Sequence, residues 1–154
     1  PTFVSLDSGS NIFTMDVIDS DNANGDLDYF TFTLGAGEAI DSITILESSN
    51  PLGGSDSAAF VGLAFDDFFD FDPATFTGDG VEGFVTTDTS TIAQNVLADL
   101  SGGLSSLNAG DYTFWIQQTG VDLTRVSFEI NVVPAPASAA LLGLFSLAAC
   151  RRQR

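Results

Sequence analysis

The sequence predicts an all-β fold: an antiparallel β-sandwich of jelly-roll or Greek-key type, followed by a short C-terminal hydrophobic helix. Three observations predict it. Apolar residues before position 133 alternate with polar ones at period two, the mark of strands with one buried and one wet face. Between the alternating stretches lie clusters of Gly, Asp, Asn and Ser at 19–27, 48–57, 77–83 and 101–110, which is turn chemistry. Within this body, only 91–100 carries helical spacing.

The elements follow in order. Residues 11–18 place Phe13, Met15 and Val17 on one face, and 28–34 turn Phe30, Phe32 and Leu34 inward with Tyr29, Thr31 and Thr33 opposite. In 39–46 the alternation shifts partway along. Residues 59–65 carry Val61, Leu63 and Phe65 on one face, and 111–118 carry Tyr112, Phe114 and Ile116. Trp115 falls on the opposite face, as a second packing contact or an exposed stacking platform, packing being the expected role. Residues 124–132 turn Val126, Phe128, Ile130 and Val132 inward, with Arg125, Ser127, Glu129 and Asn131 outward. Seven to nine short strands of this kind belong to a sandwich of antiparallel sheets. In 91–100, Ile92, Val96 and Leu100 recur every four residues after a run of capping residues, making this the one candidate helix.

Two segments echo each other, Leu34-Gly35-Ala36-Gly37-Glu38 and Leu107-Asn108-Ala109-Gly110-Asp111. The second continues into Tyr112 and has the form of a tyrosine corner, in which the hydroxyl bonds back to upstream backbone. The simpler alternative is a glycine turn before a strand.

Charge divides the chain. Of 154 residues, 21 are Asp or Glu and 4 are Arg, with no Lys and no His, for a net charge of −17. All 21 acids and a single base, Arg125, lie within 1–133, a net of −20, whereas Arg151, Arg152 and Arg154 make the tail +3. So acidic a body cannot supply dense phosphate contacts and is repelled by anionic headgroups, which excludes nucleic acid as a partner. The missing histidine excludes a Ser-His-Asp triad, a Cys-His pair and His-ligated metals. The apolar fraction of 44%, with 14 Phe, is nonetheless that of a folding chain. The one cysteine, Cys150, allows no intramolecular disulfide. The chain opens on Pro1 without a basic and then apolar leader, so an N-terminal signal is expected to have been removed already.

The tail, 134–154, reads as a second unit after the acidic domain of 1–133. The Pro134-Ala135-Pro136 break precedes an uncharged stretch, 137–150, and then the arginines. As a helix that stretch spans about 21 Å, short of the roughly 30 Å hydrocarbon core, so it is a marginal anchor. Arginines beyond it hold that end on the cytoplasmic side and leave the body outside.

This tail resembles the PEP-CTERM sorting signal of exported Gram-negative proteins. Val133-Pro134-Ala135-Pro136 stands where that family has V-P-E-P, Ala135 replacing the glutamate, and Leu141-Leu142-Gly143-Leu144 with Arg151, Arg152 and Arg154 supply the membrane stretch and the basic cluster. The resemblance implies an exosortase-type processing enzyme as partner, an inner-membrane-anchored precursor, and a final place on the cell surface or in an exopolysaccharide matrix. A plain C-terminal membrane anchor is the alternative.

The body resembles the bacterial pre-peptidase C-terminal (PPC) type of β-sandwich. The resemblance is carried by Asp26-Leu27-Asp28-Tyr29-Phe30-Thr31-Phe32-Thr33-Leu34-Gly35-Ala36-Gly37 and by Leu107-Asn108-Ala109-Gly110-Asp111-Tyr112-Thr113. It implies a non-catalytic accessory module, which in some members binds calcium or matrix polymers.

Candidate ligands for Ca²⁺ cluster around Gly25: Asp19, Asp21, Asn22, Asn24, Asp26 and Asp28. Calcium takes about 6–8 oxygen ligands, and a cation would offset the repulsion among these acids. The spacing is not that of an EF-hand, and a solvated Asx-rich turn is the alternative. A second cluster, Asp66-Asp67-Phe68-Phe69-Asp70-Phe71-Asp72, reads as an edge strand guarded by charge, or as a calcium- or sugar-facing ledge. The function expected is a non-catalytic surface or matrix protein, adhering to acidic exopolysaccharide through Ca²⁺. The alternatives are a subunit that assembles with copies of itself by strand addition, and a glycosidase using a carboxylate pair among Asp66, Asp67, Asp70 and Glu82.

Overall fold

The computed structural model describes residues 2–17, 27–53, 58–65, 81–118 and 123–135. Among them the alternating stretches form strands: β1 (Thr2–Phe3), β2 (Gly9–Val17), β3 (Leu27–Leu34), β4 (Glu38–Ser49), β5 (Ala59–Ala64), β6 (Val81–Thr87), β7 (Gly110–Gln118) and β8 (Thr124–Pro134). A single turn of helix, α1 (Leu97–Leu100), precedes β7. The strands make two sheets, one in the order β1-β3-β7-β5-β6 and one in the order β2-β8-β4. All pairings are antiparallel except β1 with β3. This is the expected all-β sandwich.

Its interior is aromatic. Phe30 and Phe114, neighbours in the larger sheet, stack at 4.9 Å, and across the sheets Phe128 stacks on them at 5.7 and 5.5 Å. Phe13 closes the stack against Phe30 at 5.3 Å. Each such pair contributes about 0.5–1.5 kcal/mol beyond the area it buries. Ile40, Ile43, Ile45, Val61, Leu63, Ile116, Val126 and Ile130 fill the layers around the rings.

The shift of pattern read in β4 is physical: its register with β8 breaks between Ile40 and Ser42 and again between Ile45 and Glu47. Each irregularity re-aims the side chains that follow, so inward residues change parity along one strand. The register of β5 with β6 breaks between Leu63 and Ala64, while that with β7 runs on. Phe65 meets the inward Tyr112 ring edge-on at 5.6 Å, as its parity with Val61 and Leu63 predicts, though at the rim it stays 39% exposed.

Of the candidate helix at 91–100, only the last turn is helical. The preceding residues are claimed by the edge of β4: Ala93 N–H donates to Ile45 O at 2.7 Å, Ile45 N–H to Gln94 O at 3.2 Å, and Val96 N–H to Ile43 O at 2.8 Å. Asn95 Oδ1 accepts from the amides of Ile43 and Leu97. Ala93 is held at φ 65°, a left-handed conformation incompatible with a continuous helix. Leu107 and Ile40 then exchange backbone hydrogen bonds, so the whole 91–107 crossover seals the β4 side of the sandwich. Gly83 lets α1 approach β6: a β-carbon there would overlap the Asp99 carbonyl oxygen and lie 2.8 Å from that of Leu100.

Candidate functional site

The ladder registers sort the loops to two ends. Val17 pairs with Thr124 and Leu27 with Gln117, so the connection 18–26 starts and finishes at the end where β7 passes into β8. Leu34, Ala64, Gly110 and Pro134 lie at the opposite end. The candidate calcium residues Asp19, Asp21, Asn22, Asn24 and Asp26 fall outside the described residues, and Asp28 alone of that set falls within them.

Asp28 stands on β3 opposite Ile116, in the same inward row as Phe30 and Phe32, and is half-buried. Other polar residues share this end of the interior. Ser48 Oγ donates to Thr87 Oγ1 at 3.1 Å, and Thr87 Oγ1 donates to the Ala59 carbonyl at 3.3 Å. Gln118 and Thr124 are buried beside them. The sandwich therefore ends in a layer of amide, hydroxyl and carboxylate groups at the end where β2 stops and β3 begins, whereas the opposite end closes on Leu34, Ile40 and Leu107. Oxygen-rich side chains of this sort are the donor type that hard cations take. Among the described residues no three His, Cys, Asp or Glu come together as a metal-holding group.

A second arrangement lies on the outer face of the five-stranded sheet. The registers place Tyr29 beside Trp115, Trp115 beside Gly62, and Gly62 beside Phe84, one row across four strands. Gly62 leaves room for the Phe60 ring, which would press a β-carbon there at 3.2 Å. Phe60 thus bridges its neighbours, 4.6 Å from Trp115 and 5.0 Å from Phe84. Trp115 is only 3% exposed, so it packs, as expected, though on the face turned away from the inter-sheet core. Phe84, 60% exposed, presents its ring to solvent. Burial raises the Tyr29 hydroxyl above its ordinary pKa and keeps it a neutral donor and acceptor at physiological pH. Phe60 and Phe84 belong to no motif that marks them in the sequence. The usable signal is that Phe60 has the opposite parity to Val61 and Leu63, and that Val81, Gly83 and Val85 alternate with Glu82, Phe84 and Thr86 through a segment read partly as a turn.

On the outer face of the smaller sheet, Arg125 meets Asp16 through two bonds, Nε to Oδ1 at 2.6 Å and Nη2 to Oδ2 at 2.7 Å. That hydrogen bonding holds the Asp16 carboxyl below its usual pKa. Glu82 is exposed on β6, and Asp66, Asp67, Asp70 and Asp72 lie outside the described residues.

The tail motif begins inside the sandwich. Val133 pairs with Ala39 and Pro134 with Glu38 on β4, and the Ala135 amide donates to the Gly37 carbonyl at 2.8 Å. A proline is tolerated there because β2 ends its pairing at Val132, so β8 has a neighbour on one side only. Gly37 carries φ 90°, which the turn requires. Pro136, Arg151, Arg152 and Arg154 lie outside the described residues. No helix among the described residues is long and apolar enough to cross a membrane.

No protein-family model and no curated protein matches this chain.

Proposed function

We propose that this chain is an exported, non-catalytic protein of a Gram-negative cell surface or extracellular matrix. On this reading its β-sandwich associates with acidic exopolysaccharide, with Ca²⁺ bridging carboxylates of protein and polymer. The observation that carries the reading is the order Val133-Pro134-Ala135-Pro136, uncharged stretch, arginine cluster, following a strand that ends at Pro134. The tail is the part an exosortase-type enzyme handles, after it has held the precursor in the inner membrane.

Two features support the rest. The acidic connection 18–26 and the tail leave from opposite ends of the sandwich, so an anchored precursor presents its carboxylates away from the membrane. The Phe60–Phe84 ledge, with Gln117 and Thr86 beside Phe60 in the ladder, offers a ring face next to hydrogen-bonding groups, an arrangement suited to a sugar with one apolar and one hydroxylated side.

Intact mass spectrometry of the protein recovered from the cells that make it tests the reading. The expected mass lacks everything beyond the Pro134–Pro136 region. Because Ala135 is tied to Gly37, the cut is expected on the C-terminal side of Ala135. A full-length mass in the surface fraction would favour the plain anchor.

A further inference from the structure

The two sides of the smaller sheet are finished differently. The β4 side is broken by two register shifts and covered by the 91–107 crossover, whose amides and carbonyls bond to it. The β2 side has none of this. Its nine residues pair with β8 in unbroken register from Gly9 to Val17, and among the described residues no strand lies beyond β2. Natural edges are guarded against pairing by Lys, Pro, bulges, shortness or a covering segment. β2 contains no Lys, no Pro and no bulge, and it is of ordinary to long length.

Charge singles out the same edge. On a body of net −20, β2 holds one charged residue, Asp16, and the only base of the body neutralises it. Two copies meeting here bring together strands whose one charge is already paired. The inward side chains of β2 are also less covered than their neighbours: Phe13 and Met15 pack on the core yet are only partly buried, whereas Phe128 and Ile130 on the neighbouring strand are fully buried. On the outer face Ile12 is 65% exposed.

We infer that β2 is the docking edge for a second copy of this chain, the two β2 strands pairing antiparallel across a two-fold axis to join the three-stranded sheets into one of six strands. Pairing satisfies the outward backbone groups of both strands and brings the open flanks of Phe13 and Met15 together. The other sheet offers no equivalent edge among the described residues: β1 is two residues long, and α1 packs against β6. With one such edge per subunit among the described residues, the expected product is a closed pair rather than a filament. This inference does not depend on the proposed function.

Sedimentation velocity of the full chain in a mild non-ionic detergent, at rising protein and salt concentration, tests it. The expected result is a reversible dimer that tightens as salt screens the −17 charge. Ile12→Asp, at an exposed position opposite Glu129, is expected to weaken the dimer by at least about tenfold, beyond a small loss of melting temperature, while the chain stays folded. Leu52→Asp adds the same charge at an exposed site away from β2 and is expected to leave the dimer intact. A monomer at every salt concentration overturns the inference. So does a dimer that Ile12→Asp leaves unchanged, or one that both substitutions weaken equally.

Discussion

The Tyr112 hydroxyl donates a hydrogen bond of 2.6 Å to the carbonyl oxygen of Asn108, four residues upstream. The bond ties the entry of β7 to the 101–110 connection and realises the tyrosine corner. The ring packs on Phe32 at 5.5 Å, so the hydroxyl is held where the carbonyl needs a donor. Tyr112→Phe keeps the ring and removes the bond, leaving a carbonyl short of its partner. The expected cost is about 0.5–1.5 kcal/mol, read from urea unfolding with an unchanged slope.

Gly83 is expected to tolerate no side chain. The atoms that a β-carbon would meet are backbone carbonyls of α1, which cannot swing aside as a flexible side chain would. Gly83→Ala must push α1 off β6, at a cost of about 1–3 kcal/mol or more. A denaturation midpoint equal to wild type would mean that the helix sits more loosely than this packing implies.

The Arg125–Asp16 pair sets a pH signature of definite sign. The Asp16 carboxyl titrates below its unfolded value because Arg125 bonds to it, so the pair's contribution is present above the unfolded pKa, about 3.9, and is lost as pH falls through the folded one. Both partners are exposed, so the contribution is small. Arg125→Gln is therefore expected to lower the melting temperature slightly at neutral pH, and the difference from wild type should vanish in acid. Added salt should raise the wild-type melting temperature, because screening the repulsion within a −17 chain outweighs weakening one surface pair.

Calcium is expected to stabilise the folded chain. With free Ca²⁺ about 100-fold above its Kd, the gain is about 2.7 kcal/mol, seen as a melting temperature that falls on adding EDTA and recovers with Ca²⁺ but not with Mg²⁺. Asp19→Asn with Asp21→Asn should abolish the response. A melt indifferent to chelation would assign the acidic connection to solvation alone.

Phe84→Ala is expected to weaken retention on an acidic polysaccharide column while leaving the melting temperature nearly unchanged, since its ring already faces water. Trp115→Ala, at a buried ring, should instead cost about 3–5 kcal/mol of stability. If Phe84→Ala elutes as wild type does, the ledge is not the polymer contact.

Where one face of a strand is core and the other water, the sequence was legible. β2, β3, β7 and β8 show this, and even the slip in β4 was visible as a change of parity, because each irregularity leaves its mark on the alternation. What was hidden was long-range. The first part of 91–100 has a helical pattern, yet Ile43 and Ile45 of β4 claim its backbone groups, and no local propensity encodes that competition. β6 was obscured because Gly83, a turn residue by composition, is there for the approach of α1. The aromatic ledge was unreadable for a related reason: Tyr29, Phe60, Phe84 and Trp115 come from four strands, and only the order β3-β7-β5-β6 aligns them. Of the proposed calcium ligands, the sequence marks the loop, and the fold adds Asp28 to the polar end of the interior.

The run of β8 through the middle of its sheet has a mechanical meaning. From Thr124 to Pro134 it is about 35 Å long, bonded to β2 along most of one side and to β4 along the other. A pull on the chain at Ala135, opposed at the far end of the sandwich, acts along this strand and loads both rows of backbone bonds in shear at once. They cannot open one after another as in an unzipping hairpin. Tension applied through Ala135 thus enters the fold along a strand bonded on both sides, where it meets many backbone bonds together.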